Sequence, residues 1–381
     1  MDITVVGGGL AGLTAAIAGA ERGARVTMWE AHRSLGGRAR ATAPPYVANE
    51  GPHVLYSDGF AFDWLAERDL LPPHVGFPLR ALTGVRVRYR GRPALMPSAL
   101  LRAASRRRLR APHDRDFGSW GREALGEEAA KVAANMMGVV LFDSDPSRLS
   151  AAFVWERFLR VTTPGRPSVR YVVGGWTSLV ERMAARARAM GVRIETGARL
   201  TEVPDTPTVI ATSLTAARAL LGEDSLTWES GHTLLTDLGL RRGRDPFLVF
   251  DADECGFLER YSLVDRTLAP EGEDLVQAQM PVRPGESRAR VTERLERFLD
   301  LSLPDWRKRV RWRRDQVARG RTGALDLPGL SWRDRPAVDR GDGVYLAGDS
   351  VAAPGLLGEV SFRSAVAAVE MAVSGHTIGI A

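Results

Sequence analysis

The opening residues constrain the fold more than any other part of the chain. Ile3-Thr4-Val5-Val6 is a short β-branched run that ends in Gly7-Gly8-Gly9-Leu10-Ala11-Gly12, and Leu13 to Ala20 continues as an alanine-rich helix. After Arg22-Gly23 a second strand runs through Arg25-Val26-Thr27-Met28-Trp29 and terminates at an acid, Glu30. Strand, glycine turn, helix, strand and terminal acid in this order specify a βαβ unit of the dinucleotide-binding kind. Gly7 permits the tight turn, Gly9 lets the backbone approach a pyrophosphate, and Gly12 allows close helix–strand packing. The helix N-terminus offers unbonded N–H groups to phosphates. A carboxylate at Glu30 accepts hydrogen bonds from the adenosine ribose and disfavours an added phosphate there. Taken alone, the unit serves FAD and NAD equally.

The residues after Glu30 separate the two. His32-Arg33-Ser34-Leu35-Gly36-Gly37-Arg38-Ala39 resembles the second glycine motif of the amine oxidase, phytoene desaturase and protoporphyrinogen oxidase superfamily of flavoproteins. Gly343-Val344-Tyr345-Leu346-Ala347-Gly348-Asp349 resembles that superfamily's final strand and Gly-Asp pair, and Glu50-Gly51-Pro52-His53 resembles its Gly-Pro turn. Gly191 to Leu200 reads as a strand pair in which Leu200 takes the place of the adenine-contacting backbone residue, with Val209-Ile210-Ala211-Thr212 returning beside it. Gly358 to Val366 opens a long final helix. The resemblance implies FAD as cofactor. The residues it implicates are Gly7, Gly9, Leu10, Ala11, Gly12, Glu30, Ala31, Arg33, Gly36, Gly37, Arg38, Gly51, Pro52, Leu200, Gly348, Asp349, Val360 and Ser361. By that resemblance Arg38 supplies a fork of donors to the pyrophosphate, and Asp349 accepts from the ribityl chain. Val360 and Ser361 present a positive helix end to the pyrimidine ring, where charge appears on reduction.

The resemblance also implies an α/β architecture, a Rossmann-like FAD-binding domain with an inserted α+β substrate domain. The nucleotide domain then draws on about 1–57, 168–215 and 320–381, and the substrate domain on 58–167 and 216–319. The first insertion carries helical patterns at Phe60–Arg68 and Glu123–Met137, while the second mixes strands such as Phe247–Phe250 with a helix over Val291–Leu299.

Composition narrows the partners. The 381 residues exceed one ordinary domain. All but Lys131 and Lys308 of the 52 basic residues are arginine, but acids alternate with them along most of the chain, as on a solvated surface, so no nucleic-acid partner is expected from the +6 net charge. Cys255 is the only cysteine, which excludes an internal disulfide or a cysteine cluster and fits a reducing cytoplasm. No apolar run reaches the ~20 residues of a membrane span, and the histidines show no metal-ligand spacing, so no metal is expected. Leu95 to Arg110 joins an apolar stretch to an arginine cluster, suited either to peripheral contact with an anionic membrane or to a solvated basic helix. Oligomeric state leaves no signal.

A bound flavin brings its own redox chemistry, so the protein has mainly to place a substrate bond and exclude water. Neither lysine is placed for the water-holding role found in many amine oxidases of the superfamily. The desaturase-like branch gains from this, with hydride taken from a C–C or C–N bond of a small or apolar metabolite. His53, after the Gly-Pro turn, is the one candidate catalytic side chain, as a proton relay or as a structural histidine. A redox-neutral flavin isomerase or mutase, an amine oxidase, and a nucleotide-binding partner protein without catalysis remain as alternatives.

Overall fold

The computed structural model describes residues 1–51, 53–94, 97–162 and 168–378. Pro52, one of the expected cofactor residues, and Leu95-Met96 of the basic stretch lie outside them.

The βαβ unit forms as its residues dictate. Strand Asp2–Val6, helix Leu10–Glu21 and strand Arg25–Glu30 succeed one another, and the two strands pair in parallel from Asp2↔Arg25 to Val6↔Trp29. Strand Thr208–Ile210 pairs with the other side of Asp2–Val6, strand Val344–Leu346 lies beyond it, and strand Arg193–Thr196 lies outside Arg25–Glu30, all parallel. Hairpin strand Asp339–Gly341 completes a six-stranded sheet. Ile3, Val5, Val26, Met28, Val209, Ile210 and Leu346 are buried, as a parallel sheet covered on both faces requires. Helix Leu10–Glu21 is buried along nearly its whole length against helices Trp176–Ala189 and Gly358–Ile378. Its small residues permit this: a Cβ on Gly12 would sit 1.8 Å from the Gly7 carbonyl oxygen. The register sets Val6, Ile210 and Leu346 side by side, so Gly7, Ala211 and Ala347 open at the carboxyl edge of the sheet, where ligands of such folds bind.

The second half is built on a seven-stranded sheet in the order Val310–Ala324, Ser230–Arg241, Glu273–Pro281, Phe257–Glu259, Leu248–Asp251, Val85–Tyr89, Arg92–Ala94. Helix Arg288–Ser302 buries Val291, Leu295, Phe298 and Leu299 against this sheet. Helices Phe117–Leu125, Glu127–Leu141 and Ala151–Thr162 form a separate aromatic core around Phe117, Trp120, Trp155 and Phe158. A small sheet of Leu55–Tyr56, Val169–Val172 and His74–Gly76 joins the two halves in sequence.

Several expectations need correction. Glu123–Met137 is not one helix: Gly126, at φ +88°, ends one and starts the next. Gly191–Leu200 holds a single strand, because after Gly197 the backbone bonds back to His32 and Glu30 carbonyls instead of reversing into a hairpin. The boundary at 320 falls within strand Val310–Ala324 of the second sheet, and the boundary at 58 separates helix Phe60–Ala66 from a core it belongs to, since Trp64 and Leu65 pack in the nucleotide half.

Candidate functional site

A single cavity of about 1150 Å³ runs from the glycine turn of the first half to the face of the second sheet. On the nucleotide side it is lined by Gly7, Gly8, Gly9, Leu10, Ala11, Glu30, Ala31, Gly36, Gly37 and Leu200. Gly7 takes φ +106°, and Gly36 and Gly37 take +111° and +53°, so both turns use conformations that favour glycine. The turns pack backbone to backbone: the Gly36 N–H donates to the Gly8 carbonyl at 2.7 Å. The Gly8 N–H in turn donates to Glu30 Oε2 at 2.6 Å, and the His32 N–H to Oε1 at 2.7 Å, which fixes the carboxylate at the strand end. Helix Leu10–Glu21 starts at Gly9 with no side-chain cap, leaving its first N–H groups for a ligand. A Cβ built on Gly9 meets nothing nearer than the Gly36 oxygen at 4.0 Å, so this glycine faces cavity space, unlike Gly12, whose Cβ would collide with the chain itself. A bare backbone cradle with unbonded donors fits a pyrophosphate.

Other expected residues divide. Gly51, Arg38, His53, Gly348, Asp349 and Ser361 also line the cavity. Arg33 is exposed and does not line it, and Val360 is buried in the nucleotide half. Gly12 acts from behind, by letting the helix approach. Ser364 Oγ accepts from the Gly348 N–H at 2.9 Å, tying the Gly-Asp pair to the final helix.

Arg38 and Asp349, expected at two different parts of a cofactor, meet each other at 2.6 Å, and Arg38 also donates to the Arg321 carbonyl at 2.7 Å. Burial alone would raise the Asp349 carboxyl, but the charge and hydrogen bond of Arg38 outweigh it and hold the group below its ordinary value, so it stays an ionised acceptor. Glu50 stands 3.3 Å from both Arg40 and Arg321. His53 Nε2 lies 2.8 Å from the Arg38 carbonyl and therefore carries a proton, and its ring packs 4.9 Å from Trp176. His53 thus holds the backbone of the arginine that pairs with Asp349.

On the second sheet's side the lining turns apolar, with Phe77, Val85, Val139, Leu235, Leu248, Phe250 and Phe257. One acid stands among them. Glu259 is 3% exposed, and the Tyr171 hydroxyl donates to its Oε1 at 2.6 Å, with buried Tyr261 alongside. Burial pushes the Glu259 carboxyl up to about 7 against the opposing pull of the tyrosine hydroxyls. Sequence reading missed Glu259, Tyr171 and Tyr261. The available signal was the two-residue period of Phe257-Leu258-Glu259, which puts the acid on the same face as an aromatic that lines the cavity.

Comparison with known proteins agrees with this geometry. Residues 5–67 match the family model of an NAD(P)-binding Rossmann-like domain. No curated protein matches the sequence. Among solved structures, an oxidoreductase from Methanosarcina mazei superposes with a TM-score of 0.78 at 16% identity, covering 97% of this chain and 100% of that one. Cyclohexylamine oxidase from Brevibacterium oxydans gives 0.73 at 16% identity, covering 99% of each chain. Reduced UDP-galactopyranose mutase gives 0.72 at 15% identity, covering 100% of this chain and 94% of that one. Matched over nearly their whole lengths, these solved structures share their fold with this chain.

Proposed function

We propose that the chain binds FAD and is an oxidoreductase that takes hydride from a C–C or C–N bond of a small or apolar metabolite. The observation that carries this reading is the continuity of the cavity: the one space is lined by the glycine cradle, by Arg38 and Asp349, and by the apolar face of the second sheet. Its volume of about 1150 Å³ exceeds the ~300–1,000 Å³ of ordinary small-molecule pockets, leaving room for a dinucleotide and a substrate together. Gly7–Gly12 with Gly36-Gly37 would hold the pyrophosphate, Glu30 the adenosine ribose, Asp349 the ribityl hydroxyls, and the end of helix Gly358–Ile378 near Ser361 the pyrimidine ring. When bound, the flavin supplies the hydride acceptor. The chain's own part is to orient the substrate against Gly51 and His53 and to exclude water with the apolar wall. Lys131 and Lys308 stay away from the cavity, Lys308 being paired with Asp305 at 3.0 Å, which favours the desaturase-like branch over lysine-assisted amine oxidation.

Anaerobic screening of metabolites tests the reading. The purified protein shows flavin absorbance, a substrate bleaches it, and turnover consumes an electron acceptor. A protein that stays colourless after incubation with FAD overturns the cofactor, and product formed without acceptor consumption overturns net oxidation.

The same reading places the protein in a reducing cytoplasm, supported by the single buried Cys255. Among the described residues no helix is long and apolar enough to cross a membrane. It also includes peripheral contact with an anionic surface through helix Ser98–Ser105, supported by Leu101 at 57% exposure beside the arginine cluster.

A further inference from the structure

Most buried acids in this arginine-rich chain are matched with guanidinium groups, and two others are held by pairs of backbone N–H donors: Glu30 by Gly8 and His32, Asp265 by Gly174 and Thr267. Asp237 pairs with Arg314 at 2.7 Å, Asp245 with Arg309 at 2.7 Å, Asp251 with Arg88 at 2.7 Å, Asp274 with Arg266 at 2.9 Å and Asp326 with Arg335 at 2.8 Å. Glu259 departs from the pattern. It is as buried as these, yet among the described residues no basic nitrogen lies within ion-pair distance of it, and the donor that holds it is the neutral Tyr171 hydroxyl. It is also the one of this set that, with Phe250 and Phe257 beside it, lines an otherwise apolar stretch of the large cavity. Arg160, which also lines that cavity, is already engaged with Asp58 at 2.9 Å and Glu359 at 3.1 Å.

A carboxyl in apolar surroundings is costly unless a cation or several donors satisfy it. For those five aspartates the chain supplies the cation from its own arginines. At Glu259 the open side is the substrate chamber, so a cationic partner for the ionised carboxyl would come with the ligand. We propose that Glu259 anchors the positive end of an otherwise apolar substrate, an organic ammonium group, by ion pairing in the cavity, with Tyr171 holding the carboxyl in place. The proposal rests on reading this cavity as the substrate chamber. It concerns where the positive group is held, whichever bond is oxidised. No covalent step is involved.

The test is equilibrium binding to the flavin-loaded protein of three matched probes, phenethylamine, phenethyl alcohol and phenylacetate, measured by calorimetry at about pH 8, above the ordinary carboxyl range. The amine is expected to bind about tenfold or more tightly than the alcohol, the size of effect given by one charged hydrogen bond, and phenylacetate more weakly than either. Glu259→Gln is expected to abolish the amine's advantage while leaving alcohol binding unchanged. Tyr171→Phe, which keeps the carboxyl, is expected to retain it. Equal binding of amine and alcohol to the unaltered protein overturns the proposal, so a Gln variant that fails to fold does not shelter it. An unchanged advantage in Glu259→Gln overturns it as well. Flavin content is read separately by absorbance: protein that takes up no FAD defeats the cofactor reading, and the probe series on that protein still decides the anchor.

Discussion

The two halves of the molecule manage polar groups in opposite ways. In the nucleotide half the backbone does the work: Gly7, Gly36 and Gly37 take positive φ, the Gly7 N–H donates to the Trp29 carbonyl and the Gly36 N–H to the Gly8 carbonyl, and a bare helix start faces the cavity. In the sheet half side chains do it, through arginine–carboxylate pairs that join distant positions, as Arg88 joins Asp251 and Arg309 joins Asp245. A backbone site accepts any ligand with phosphates at the right spacing. A side-chain site tolerates little but its own partner. The difference teaches where ligand specificity would reside: the cofactor's phosphates at the main chain, its hydroxyls at the Glu30 and Asp349 side chains, and the proposed substrate cation at Glu259.

Four substitutions break or sharpen that contrast. Arg309→Ala leaves Asp245, whose side chain is 1% exposed, without its bidentate partner. Removing one member of a buried pair costs about 3–5 kcal/mol, so chemical denaturation shows a large loss, while the fraction of protein that carries flavin under native conditions stays unchanged. Gly12→Ala drives a methyl to 1.8 Å from the Gly7 oxygen. Overpacking of this kind costs about 1–3 kcal/mol, and because the helix start must shift, flavin uptake measured by absorbance falls with it.

Glu259→Gln acts through pH. The folded-state carboxyl is raised, by burial first, from 4.5 to about 7, so the folded protein holds a proton that the unfolded chain releases. Stability therefore falls as pH rises through the window from the ordinary value to about 7 and stays low above it. The Gln variant escapes this loss: thermal unfolding of flavin-free protein shows a gain of up to about 3 kcal/mol near pH 8 and none near pH 4. The smallest effect on stability comes from Gly9→Ala, whose methyl enters open cavity space. The melting temperature is unchanged while affinity for FAD drops, the reverse of Arg309→Ala.

The same contrast explains how much was legible in the sequence. Gly7 to Gly12, Glu30, Gly36-Gly37-Arg38 and Gly348-Asp349 are fixed by local spacing, because a turn must reverse within a few residues and a strand must end where its ligand begins. All of them except Gly12 line the cavity. Arg33 sits beside that motif but points to solvent, and Val360 precedes Ser361 but turns to the core, since a helix rotates each residue to a new face. Pairings across long separations left no local mark. Tyr171 reaches Glu259 over 88 positions, and Arg38 and Asp349 meet only when the two ends of the chain share one sheet. The helical spacing over Glu123–Met137 carried no mark of the division at Gly126, whose positive-φ backbone separates two helices.

The central claim is that one cavity holds both ends of FAD, the adenosine side at Glu30 and the flavin side near Asp349. Equilibrium titration of flavin-free protein with FAD, FMN and NAD tests it most directly. FAD is expected to bind one per chain and far more tightly than FMN, which lacks the adenosine end, or NAD, which lacks the flavin. NAD binding as tightly as FAD would contradict it.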